Sequence, residues 1–203
     1  MIEFLDGEMV AHTGPDLCAK ALTNSTYSRA CSMWESRRST GDYSGNDNSI
    51  VRFCLAADKL AEFEGGSTAH AVEYAFDTLR EMYPREFRWH TRWSIVIDTT
   101  NLRIYFKTQR EPEVRWVDLE AFDLRCGRPV MMLGINEMIS GDVSESFSEY
   151  DSVRNREFRE AYYDQWNLTY DPAEMGQLLQ HLETFPCTQE RRGGVRRVAP
   201  VRR

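Results

Sequence analysis

Little in this sequence marks a familiar chemistry. The five cysteines, Cys18, Cys31, Cys54, Cys126 and Cys187, are odd in number, widely spaced and without a CxxC pair, and the four histidines never fall at HxxxH spacing. Without ligands paired at short spacing, neither a disulfide framework nor a zinc centre is expected, and the cysteines read as mostly reduced and structural. There is no GxGxxG, no Walker loop and no GxSxG, so nucleotide binding and the serine-hydrolase elbow have no support and no cofactor is expected. No apolar run reaches the roughly 18–20 residues that a membrane helix needs, and the first thirty residues lack the basic start and apolar run of a secretion signal. No membrane partner is expected.

What is present suits a folded domain. The chain has 203 residues, 41% hydrophobic and 12% aromatic, with 28% charged and a net charge of −7. That length and composition fit one globular unit with a sizeable core and exclude a collagenous or wholly disordered chain. The charge is uneven. Residues 187–203 hold six arginines against Glu190 alone, which makes residues 1–186 more acidic than the whole. A basic tail rich in Gly, Pro and Arg is expected to be disordered. An acidic body is expected not to bind nucleic acid, because phosphates repel it.

Local pattern gives the elements. Ile2 to Leu5 and Glu8 to His12 flank Asp6-Gly7, a hairpin signal. Ser36 to Ser49 is polar and rich in Ser, Gly, Asp and Asn, a loop. From Ile50 to Phe63 the residues Val51, Leu55, Ala56, Leu60 and Phe63 recur at helical spacing, and Gly65-Gly66 ends the run. Ser67 or Thr68 can cap a second helix reaching about Tyr83, with Ala71, Tyr74, Ala75 and Leu79 on one face. Then come strands at Trp93 to Asp98, Leu102 to Lys107 and Val114 to Leu119, with a shorter one at Val130 to Leu133. After Gly141 the chain is polar with helical tendency through Asn167, and Pro172 to Phe185 reads as a final helix opened by proline. This order gives an α+β layered domain rather than an alternating βαβ one. His90, in Trp89-His90-Thr91, is a lone histidine beside an aromatic, and packing accounts for it better than catalysis does.

Several short motifs, taken in order, resemble one family. IEFLDGEMVAH (2–12), ALTNS (21–25), SIVRF (49–53), TRWSIVIDTTNLRIYFKT (91–108) and VRWVDLEAFDL (114–124) are together similar to the C-terminal half of the choloylglycine hydrolase or linear amide C–N hydrolase family. The likeness covers about residues 1–150. It implies part of a four-layer αββα N-terminal nucleophile hydrolase sandwich. In that chemistry a cysteine at the mature N-terminus attacks a linear amide and its own α-amino group acts as base. The implied partner is a small-molecule amide, such as a conjugated bile salt, penicillin V or another N-acyl amide, acted on once the N-terminal half is supplied.

Two functional positions carry over. Asn24 matches the asparagine beside the nucleophile, whose amide can donate to a developing oxyanion or hold the amino group; on sequence alone it is a helix cap or turn. Arg52 matches the arginine that fixes and polarises the catalytic cysteine, a role that suits a permanent cation; alone it is a solvent-facing residue of a first helical turn. Thr26 stands where the family has a proline after the Asn-Ser pair. The nucleophile itself is not matched: removing Met1 exposes Ile2, and Cys18, Cys31 and Cys54 are internal. The resemblance therefore implies a chain of 1–186 plus tail that is inactive alone, with an apolar sheet face that favours association, a homo-oligomer included. The alternative is a non-catalytic binding or regulatory remnant of the same scaffold.

Overall fold

The structure, a computed structural model, describes residues 1–82, 91–165, 167–169 and 171–183. The basic tail, Trp89 and His90 lie outside the described residues, as do the ends expected for the second helix at Tyr83 and the last at Phe185. The fold is mixed α+β, and the chain divides into two compact units, residues 1–117 with 138–142 and residues 118–137 with 143–203.

The first unit opens with β1 (Ile2–Leu5) and β2 (Glu8–Ala11), an antiparallel pair. Asp6 and Gly7 both take positive φ, 52° and 85°, the turn whose twist matches a two-residue hairpin. Three helices follow: α1 (Tyr27–Arg37), α2 (Asn48–Glu62) and α3 (Thr68–Glu81). Tyr27, Ala30, Cys31 and Trp34 of α1 are buried, and so are Ile50, Phe53, Cys54 and Ala57 of α2. Both sets run i, i+3, i+4, i+7, so each helix presents one stripe to the same core. The stripe expected on α2 is thereby corrected. Val51, Leu55 and Ala56 are half-buried and Leu60 is exposed, because the helix turns its Ile50–Phe53–Cys54 edge toward α1.

Asp47 caps α2 by accepting from the Ile50 amide at 2.9 Å, and Ser67 caps α3 by accepting from the His70 amide at 3.2 Å. The loop from Arg38 to Asp47 is anchored by buried Tyr43, whose hydroxyl donates to Asp58 Oδ2 at 2.7 Å while Trp34 Nε1 donates to Oδ1 at 2.7 Å. One carboxylate on α2 thus ties the loop and α1 together. Burial, and then the hydrogen bond to Asp58, push the Tyr43 phenol well above its ordinary pKa.

The main sheet runs β3-β4-β5-β7, with β3 (Trp93–Asp98), β4 (Arg103–Thr108), β5 (Arg115–Asp118) and, after a passage through the second unit that includes β6 (Met131–Met132), β7 (Gly141–Asp142). β3 and β4 are antiparallel in the register Trp93↔Thr108 to Asp98↔Arg103, and β7 adds parallel to β5 at Arg115↔Gly141. The stretch after Gly141, expected to tend to helix, first makes this short edge strand. Strand alternation splits the sheet into two faces. One, with Ser94, Val96, Arg103, Tyr105, Lys107 and Trp116, lies toward α3. The other carries Trp93, Ile95, Ile97, Ile104 and Phe106. Its β3 edge is open, with Trp93 56% and Ile97 61% exposed. On β4 and β5 the same face is closed: Phe106 is buried, and the buried Arg115 guanidinium lies 4.7 Å from its ring.

In the second unit β6 pairs antiparallel with β8 (Ser148–Glu149), and α4 (Ser152–Gln165) and α5 (Pro172–Glu183) follow. Phe122 and Phe147 meet edge to face at 5.0 Å, and the Asp118 amide donates to Ser144 Oγ at 2.9 Å.

Candidate functional site

Asn24 and Arg52 are 28 positions apart, and the fold brings their segments to one end of α2. Thr23 Oγ1 donates to the Ser49 carbonyl at 3.0 Å, Ser49 Oγ donates to Thr23 Oγ1 at 3.1 Å, and the Ser25 amide donates to Ser49 Oγ at 2.7 Å. Both neighbours of Asn24 are therefore fastened to one helical residue. Ser49 and Arg52 are three apart, which puts them on one face of α2. The Asn24 segment thus rides on the face that carries Arg52. Ser25 Oγ also donates to Asp47 Oδ1 at 3.4 Å, and Arg29 pairs with Asp47 at 3.3 Å.

Asn24 itself is exposed and is not the cap of α1. That position is Thr26, which makes no side-chain capping bond. The φ of Thr26 is −59°, the value a proline ring imposes, so the backbone keeps the path a proline would take. Arg52 is half-buried, and its Nε donates to the Asn48 carbonyl one turn earlier at 3.4 Å. The hydrogen bonds through Ser49 thus hold the exposed Asn24 segment beside the helical turn that carries Arg52.

Two restraints fix the segment leading to Asn24, and neither is apparent in the sequence. Cys18 and Cys31 form a disulfide with a Cα–Cα separation of 5.9 Å, and Cys126 is also disulfide-bonded. This corrects the expectation of mostly reduced cysteines. Cys31 lies 13 positions after Cys18, with no motif to pair them, and they meet because α1 folds back beside residues 17–21. Tyr27 adds a second tie: its hydroxyl donates to the Ala19 carbonyl at 2.7 Å and receives from the Ala19 amide at 3.2 Å. The Cys18–Cys31 ring encloses Asn24. Its removal in a Cys18→Ala/Cys31→Ala double variant is expected to cost about 3 kcal/mol, the entropy of a ring of that size. Thermal melts should show a drop of about 6–12 °C; an unchanged melting temperature would mean that hydrogen bonds alone hold the segment.

The start of α1 is tied to the first hairpin. Glu3 Oε1 accepts from the Tyr27 amide at 2.8 Å, and Glu3 Oε2 lies 2.9 Å from His12 Nε2. The His12 and Tyr27 rings are 4.6 Å apart. A strand carboxylate thus satisfies a helix donor that Thr26 leaves unmet. No local pattern encodes a cap supplied from 24 residues away.

None of the thiols described here is poised to attack. Cys54 is free but fully buried, and burial, then the nearby Asp58 charge, push its thiol up to about 11. Native protein at pH 8 is expected to resist iodoacetamide at Cys54, with alkylation appearing on unfolding. Rapid native labelling, read by peptide mass, would show that the helix pair opens.

No family profile matches the chain, and no curated protein matches it. Among solved structures, penicillin V acylase from Agrobacterium tumefaciens is similar in fold, with a TM-score of 0.63 at 24% identity over 74% of this chain. The match spans 52% of that chain, about half its length.

Proposed function

We propose that residues 1–186 are the C-terminal portion of a linear amide C–N hydrolase with the four-layer αββα architecture, and that they are inactive alone. The observation that carries this reading is the fastening of the Asn24 segment, through Thr23 and Ser25, to the α2 face that bears Arg52. The motif order and the fold likeness to half of penicillin V acylase support it.

In this reading a polypeptide beginning with cysteine lays a second sheet over the open Trp93–Ile97 face. It brings its thiol and α-amino group to Asn24 and Arg52. The thiolate attacks the amide carbonyl, the amino group relays the proton to the leaving amine, and water releases the acyl group. Asn24 donates to the oxyanion. Arg52 favours the thiolate over the thiol. No cofactor takes part. Alone, the chain covers the same face by self-association.

The deciding experiment is the intact mass and N-terminal residue of the native polypeptide from its source, combined with hydrolysis of penicillin V and a glycine-conjugated bile salt. A chain or chain pair led by cysteine that releases the amine supports the reading. A native protein with no cysteine-led segment and no hydrolysis overturns it, as does hydrolysis by the isolated 203-residue chain.

A further inference from the structure

On the opposite side of the main sheet from the open face, α3 and strands β4 and β5 leave a cleft of about 540 Å³. A volume of that size suits a small organic molecule. Val72 and Phe76 of α3 line one wall, and Tyr105 and Trp116 line the other. The two wall aromatics from the sheet lie 6.3 Å apart, centroid to centroid.

The charges in the cleft select the sign of a ligand. Lys107 Nζ lies 4.7 Å from the centre of the Phe76 ring, and the Arg103 guanidinium lies 5.9 Å from that of Trp116. The Phe76 and Trp116 rings that a cationic ligand would use are thus already against cations. Of the two acids in the cleft, Asp77 pairs with Arg80 at 2.8 Å, and Glu73 is an exposed residue. Lys107 has no carboxylate partner among the described residues. A carboxylate or sulfonate on an apolar body satisfies this arrangement: the body fills the space between Val72, Phe76, Tyr105 and Trp116, and the anion meets Lys107.

We infer that this cleft is a binding site for an organic anion with an aromatic body, separate from the Asn24–Arg52 region. It belongs to the first unit alone, and it stands whether or not the amide-hydrolase reading does.

The test is calorimetric titration of the full 203-residue chain with naphthalene-2-carboxylate and, for comparison, neutral 2-naphthylmethanol. The carboxylate is expected to bind at least tenfold more tightly than the alcohol. Lys107→Met, which keeps the apolar stem, is expected to remove that preference, and Glu73→Gln to tighten carboxylate binding about two- to threefold. Ile97→Ser, on the open face, should leave it unchanged. Equal binding of the two probes overturns the proposal, as does loss of binding in Ile97→Ser or an undiminished preference in Lys107→Met. Should Lys107→Met fail to fold, Glu73→Gln and the comparison of probes decide the matter alone.

Discussion

Phe53→Ala is expected to lower the unfolding free energy by about 3–5 kcal/mol, the range for deleting a buried phenylalanine. Phe53 has no exposed surface and meets Tyr27 edge to face at 5.8 Å. Tyr27 in turn holds Ala19 through its hydroxyl and donates its backbone amide to the Glu3 carboxylate. The cavity would therefore open where the hairpin, α1, α2 and the Asn24 segment converge, and those four elements cannot all collapse inward without losing the hydrogen bonds between them. Urea unfolding should show a lower midpoint with an unchanged slope. Phe53→Leu, which keeps most of the volume, should lose far less. A loss under 1 kcal/mol for the alanine variant would show that the stripe shared by α1 and α2 is not closely packed.

In the completed enzyme of the proposed reading, Asn24→Ala is expected to lower kcat by about 10²–10³-fold with little change in KM, as removal of one oxyanion donor does. The expectation rests on position. Thr23 and Ser25 bond Ser49 and Asp47, while the Asn24 side chain is exposed and bonds no other described residue. The substitution leaves the anchors in place, so stability should stay within about 0.5 kcal/mol of the parent, as for surface changes generally. A kcat loss without a stability loss identifies a group that touches the reacting atoms. A parallel fall in both, or no fall in kcat, would make Asn24 a structural residue.

The elements legible in the sequence are those written in nearest neighbours. Asp6-Gly7 encodes a turn, Ser67 or Thr68 a cap, and the β-branched runs at 93–98 and 102–107 a hairpin. The helix over 48–62 is legible as an element, but the face it buries is not. Val51, Leu55 and Leu60 satisfy helical spacing as well as Ile50, Phe53 and Ala57 do, and only the position of α1 decides between them. The site divides in the same way. Asn24 and Arg52 stand out through motif likeness, whereas what holds their segments is spread over long separations: Cys18 to Cys31, Thr23 and Ser25 to Ser49, Glu3 to Tyr27. Such contacts exist only once the chain has folded, so no window of the sequence contains them. Tyr43 is the same case, an aromatic in a polar loop whose purpose is a carboxylate 15 residues on.

The parallel pairing of β5 with β7 sets an order on folding. The β3–β4 hairpin closes through a short turn, and such hairpins form in about 1–10 μs. β7 meets β5 only after the chain has travelled from Asp118 through Glu137 and back, and it then gains just two residue pairs, Arg115↔Gly141 and Trp116↔Asp142. A long loop closed for so small a return is entropically late to form and early to open. Amide exchange should therefore be slowest at the centre of β3–β4 and fastest at 141–142, so the sheet ravels from its β7 edge inward.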